Sequence, residues 1–133
     1  MNRKKPHNHS QTLDYVVSNL DKIGEDRRTA KWVMSEGVWY KDNSVHQRKL
    51  CDLIIVYQND SASCLEIKPN PKFKRKAKEQ LDGGEEFVMT QLGLDDITKK
   101  VIYYDPCIKV ELIDRSWKLI YDFDLARYVG VRK

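Results

Sequence analysis

Two carboxylates and one amine are the first residues in this chain whose types and spacing could do chemistry. Asp52 opens the apolar run Leu53–Tyr57, a polar stretch follows, and Glu66-Ile67-Lys68 closes a second apolar run. Alternation with a period of two predicts strands over Asp52–Gln58 and Ala62–Lys68, joined by the turn Asn59-Asp60-Ser61. Glu66 and Lys68, two apart on one strand, then share a face. A three-residue loop sets Gln58 opposite Ala62 and Asp52 opposite Lys68, which brings Asp52 to that same face. A two-residue turn would flip Asp52 away unless a bulge corrected it, because a slip of one residue exchanges the faces. Cross-strand neighbours lie roughly 5–8 Å apart, so two carboxylates there could share one hard divalent cation. An ammonium beside them could stabilise charge that grows on a phosphate.

An acid at the start of one strand, followed after a turn by Glu66-Ile67-Lys68, resembles the PD-(D/E)XK nuclease core of type II restriction enzymes, archaeal Holliday-junction resolvases and VRR-type nucleases. Cys51 departs from the pattern, since proline often precedes the acid. The resemblance runs from about Ser10 to Tyr104. It implies an α/β fold with a restriction-endonuclease-like core, in which a mixed central sheet is flanked by helices in the order α-β-β-β-α-β. It also implies Mg²⁺ or Mn²⁺ held by Asp52 and Glu66, with the Ile67 carbonyl as a further ligand and Lys68 orienting the attacking water. Gln80, twelve residues after the lysine, matches a glutamine that follows E-x-K in several branches and joins Asp52, Glu66 and Lys68 as a catalytic candidate. The first helix often adds an acid to the metal site. Asp14 stands at that place, with Glu36 as its rival, although Asp14 would equally suit a helix dipole as a first-turn acid. Acid followed by E-x-K is a short motif, and the competing reading is an edge hairpin whose ends carry solvated charges.

The elements that must position these residues are legible to different degrees. Ser10 can cap a helix over Gln11–Ile23, with Leu13, Val16, Val17 and Leu20 on one face and Gly24 as the stop. Trp32–Met34 and Val38–Tyr40 suggest strand broken by Gly37, and Lys41–Lys49 reads as a loop in which Lys49 and its neighbours His46, Gln47 and Arg48 could meet a nucleic-acid backbone. After Lys68, Asn70 as cap and Pro71 at the first position are a strong helix start. Phe73, Ala77 and Leu81 form its inward stripe, which leaves Lys72, Lys74, Arg75, Lys76 and Lys78 to contact phosphates or simply to be solvated. Gly83-Gly84 predicts a kink or two helices. Val101–Tyr104, Ile108–Ile113 and Trp117–Phe123 read as strands, and the segment from Leu125 as a short helix.

Length and composition bound the function. The chain has 133 residues, 41% hydrophobic and 33% charged, with a net charge of +4. These values fit one globular domain over 10–133, preceded by a basic arm, 1–9, that carries Arg3, Lys4 and Lys5. No apolar run reaches the ~18–20 residues of a membrane span and no signal peptide is visible, so the expected location is intracellular, in the cytoplasm, with no membrane partner. Cys51, Cys64 and Cys107 lack metal-site spacing and read as packing residues. His7, His9 and His46 are scattered in polar sequence. Nothing suggests an organic cofactor.

The expected function is therefore a metal-dependent nuclease, an endonuclease or other hydrolase acting on DNA and selecting structure rather than sequence. The resemblance leaves a homodimer open. The alternative is a nucleic-acid-binding or assembly protein of the same fold without catalysis.

Overall fold

The computed structural model describes residues 8–35 and 50–113, together with the strands at 117–122 and 127–132. Its elements are α1 (His9–Ser18), β1 (Ala30–Ser35), β2 (Leu53–Tyr57), β3 (Ser61–Lys68), α2 (Lys74–Gln91), β4 (Asp96–Tyr103), β5 (Lys109–Leu112), β6 (Trp117–Asp122) and β7 (Arg127–Arg132). These strands lie in sequence order in one mixed sheet. Only β3 and β4 run parallel, joined by α2 as the crossover; every other described neighbour pair is antiparallel. The molecule is thus α/β, with helices on both faces. No helix among the described residues is long and apolar enough to cross a membrane.

Strand alternation divides the core. Ile54, Val56, Ala62, Cys64, Val101 and Tyr103 point to one face, where Ala77, Leu81, Phe87 and Val88 of α2 cover them. Leu53, Ile55, Leu65, Ile67, Ile102 and Val110 point to the other, under Val16 of α1 and the short turn that continues it, Leu20–Ile23. Strands apolar on both sides are what a sheet covered on both faces requires.

Several sequence expectations need correction. Asn8, not Ser10, caps α1, accepting from the Gln11 amide at 2.9 Å. The α-helix ends at Ser18, and a 3₁₀ turn carries the chain to Gly24, whose φ of 83° supplies the expected stop. Gly83-Gly84 neither kinks nor divides α2, which runs unbroken from Lys74 to Gln91. A Cβ on Gly84 would lie 2.4 Å from the Cys51 sulfur, so this glycine lets the helix seat closely on the chain leading into β2. Phe73 belongs to the 3₁₀ turn Pro71–Phe73 that precedes α2 and is 44% exposed, so the inward stripe begins at Ala77. The segment after Leu125 forms strand β7 rather than a helix. Val38–Tyr40, the Lys41–Lys49 loop and Arg3–Lys5 lie outside the described residues, as do Glu36, His46 and Lys49.

Candidate active site

The β2–β3 hairpin sets the site. Its register pairs Leu53 with Leu65 and Val56 with Ala62, which continues to Asp52 opposite Glu66, two residues away from the expected pairing with Lys68. The turn is responsible. Asp60 adopts a left-handed φ of 65°, and the Asn59 carboxamide oxygen accepts from both the amide and the hydroxyl of Ser61. That local bond starts β3 one residue early and closes a three-residue turn over Gln58–Asp60. Because a shift of two preserves the face, Asp52 and Glu66 still meet.

Their contacts are close and buried. The Asp52 amide donates to Glu66 Oε1 at 3.0 Å, and the Ile67 amide donates to Asp52 Oδ2 at 2.9 Å. Lys68 Nζ stands 3.3 Å from Glu66 Oε2. Burial, and after it the negative charge of Asp52, push the Glu66 carboxyl up to about 9, against the opposing pull of Lys68. The two carboxyl groups interact directly, and the Glu66 carboxyl, so raised, keeps its proton at neutral pH when no cation is bound. Beside them, burial and the neighbouring Cys64 push the Cys51 thiol well up, which suits a packing residue rather than a nucleophile.

A residue absent from the sequence-based site joins this group. His9 Nε2 lies 2.9 Å from Asp52 Oδ2, with its side chain 46% exposed and that of Asp52 only 5%. The helix cap at Asn8 is the signal that could have found it, since it makes His9 the first residue of α1 rather than part of a tail. Asp14, by contrast, lies five residues along α1, about 140° around the helix from His9. It is exposed, and no described contact joins it to Asp52 or Glu66.

The other candidates are dispersed. Ile67 adjoins the pair through its amide, which donates to Asp52 Oδ2. Gln80 lies on α2, and its side-chain oxygen is buried with no hydrogen-bond partner among the described residues. Such an acceptor is commonly satisfied by water or by a ligand donor. Lys72, Arg75, Lys76 and Lys78 are exposed as expected. Lys74 is not free for phosphate, because its Nζ donates to Glu111 Oε2 at 3.0 Å while the Tyr103 hydroxyl donates to Oε1 at 2.8 Å. Burial and this carboxylate raise the Tyr103 phenol. Tyr103 pairs with Lys68 across β3 and β4, so this second network borders the first.

Among the described residues no group of three or more His, Cys, Asp and Glu side chains is arranged to hold a metal ion. Magnesium does not require one, because it keeps several waters and is commonly held through one or two carboxylates. Asp52 and Glu66 fit that demand: both are buried, and the unfavourable proximity that helps push the Glu66 carboxyl up is what a cation would relieve. Comparison of the chain with protein-family models, with curated proteins and with solved structures found no match.

Proposed function

We propose that this protein is a metal-dependent nuclease that hydrolyses phosphodiester bonds in DNA, built on a restriction-endonuclease-like core. The observation that carries the reading is the buried Asp52–Glu66 pair with Lys68 3.3 Å from it. Bringing two carboxyl groups together out of water costs stability, and such arrangements concentrate where chemistry needs them. The order helix, three strands, helix, strand supports the reading further, as does the exposed basic surface at the start of α2.

Asp52 and Glu66 would hold the ion, Mg²⁺ or Mn²⁺. When bound, the ion supplies an activated water at neutral pH and neutralises charge on the phosphate. The chain's own residues do the rest. Lys68 places a positive charge against Glu66, where it can orient the attacking water and stabilise the added negative charge of the transition state. Lys76 and Lys78 meet the substrate backbone and position it without reading bases.

The test is a panel of labelled branched, single-stranded, nicked and linear duplex DNAs, with RNA, incubated in Mg²⁺, Mn²⁺ or EDTA. Cleavage should require the metal, and Asp52→Ala should lower it by at least about two orders of magnitude, comparable to removing one preorganised charge-stabilising group. Binding without cleavage in every metal would leave a nucleic-acid-binding protein in its place.

A further inference from the structure

We infer that His9 is a positioning residue for this site: its imidazole holds the Asp52 carboxylate by a hydrogen bond and fixes the orientation in which Asp52 meets a divalent cation. The inference rests on the metal-binding reading of Asp52 and Glu66. Asp52 Oδ2 accepts from two donors, the Ile67 amide and His9 Nε2, each at 2.9 Å. Two donors on one oxygen fix the plane of the carboxylate, and neither of them falls on Oδ1. An imidazole nitrogen that faces a carboxylate oxygen this closely carries its hydrogen in either the neutral or the charged ring. Nε2 is therefore engaged as a donor, and its role is to orient a ligand rather than to be one.

The placement of His9 is built into the fold. The Asn8 side chain accepts from the Gln11 amide, and the Asn8 carbonyl accepts from both the amide and the hydroxyl of the buried Thr12. Val16 and Leu20, further along the same side, are locked into the core under the sheet. The first turn is thus held at both ends, and the imidazole is delivered to Asp52 from the face of the sheet opposite α2. Helix capping alone gives no reason for a half-exposed histidine here, since Asn8 already satisfies the first turn. Asp52 is the polar group that this side chain touches among the described residues.

Groups that orient a metal ligand typically contribute 10–100-fold to metal affinity. The test is calorimetric titration of Mn²⁺ into the metal-stripped wild-type protein and the His9→Ala, His9→Gln and Asp52→Ala variants, each with a thermal melt. Mn²⁺ should bind the wild type and not Asp52→Ala. His9→Ala should weaken binding by about 10–100-fold, with a melting temperature that shows an intact fold. His9→Gln, whose carboxamide can donate to the same oxygen, should recover most of the loss. Pulsed electron paramagnetic resonance of the Mn²⁺-loaded wild type should show no directly coordinated nitrogen. Wild-type affinity in His9→Ala, or no recovery in His9→Gln, overturns the positioning role, and a coordinated nitrogen lost in His9→Gln makes His9 a ligand instead. Failure of the wild type to bind Mn²⁺ at all overturns the metal reading and, with it, the role assigned to His9.

Discussion

The two ends of strand β3 each bury a glutamate against a lysine, and they do so to opposite effect. At the start of the strand, Lys100 Nζ donates to Glu25 Oε2 and, at 3.1 Å, to the Ile23 carbonyl, while the Tyr57 hydroxyl donates to Glu25 Oε1. Both oxygens of this carboxylate have a donor, and one negative charge faces one positive charge. Burial first, then Glu25, raise the Tyr57 phenol, so it stays a donor at every ordinary pH. This cluster ties the segment that leaves α1 to the sheet. At the far end, Glu66 faces Lys68 but also Asp52, and its carboxyl is pushed up to about 9. A buried ion pair is therefore not by itself a mark of function. The second carboxyl group, Asp52, is the distinguishing feature.

The comparison breaks first on stability. Glu25→Ala leaves Lys100 buried without its carboxylate and should cost about 3–5 kcal/mol in urea unfolding, the usual loss when one partner of a buried pair is removed. Glu66→Gln should be neutral or stabilising at pH 8 in EDTA, and the sign follows from linkage. The folded-state value of about 9 lies above the ordinary carboxyl value of 4.5, so between them the folded protein binds more protons than the unfolded chain. The Glu66 contribution is thus most favourable below the unfolded value and is lost as pH rises through that window, by at most about 1.4 kcal/mol per pH unit. Unfolding midpoints at pH 5 and pH 8 should differ less in Glu66→Gln than in the wild type. Matching pH dependence in the two proteins would remove the contrast between the two ends.

The smallest effect concerns the basic helix. Lys76→Ala with Lys78→Ala should lower the slope of log affinity against log salt for duplex DNA by roughly one per lysine. Lys74→Ala should instead act on stability, because its partner Glu111 is buried. An unchanged slope in the Lys76, Lys78 pair would make this face merely solvated.

Local physics made part of this legible. The shared face of Asp52 and Glu66 follows from the period of a strand together with an odd turn, and survived a register shift of two. Asn70-Pro71 caps and starts a 3₁₀ turn that leads into α2, rather than α2 itself, with the Asn70 side chain accepting from the Lys72 amide at 3.0 Å. What escaped depends on contacts between distant residues. Lys100 and Glu25 lie 75 residues apart, and Lys74 and Glu111 lie 37 apart, so no local pattern announces either pair. Gly84 resembled a helix breaker because its neighbour Cys51 comes from another segment. His9 was hidden for the same reason: only the packing of α1 across the sheet brings it to Asp52.

On the proposed reading, Asp52 and Glu66 hold a cation, and the Glu66 carboxyl holds a proton when none is bound. Calorimetry of Mn²⁺ binding at pH 7.5 in two buffers of different ionisation enthalpy tests this most directly. With the Glu66 carboxyl at about 9, the metal must displace the proton, so binding of one ion should release close to one proton, and neither binding nor release should survive in Asp52→Ala. No binding, or binding that persists unchanged in Asp52→Ala, would contradict it.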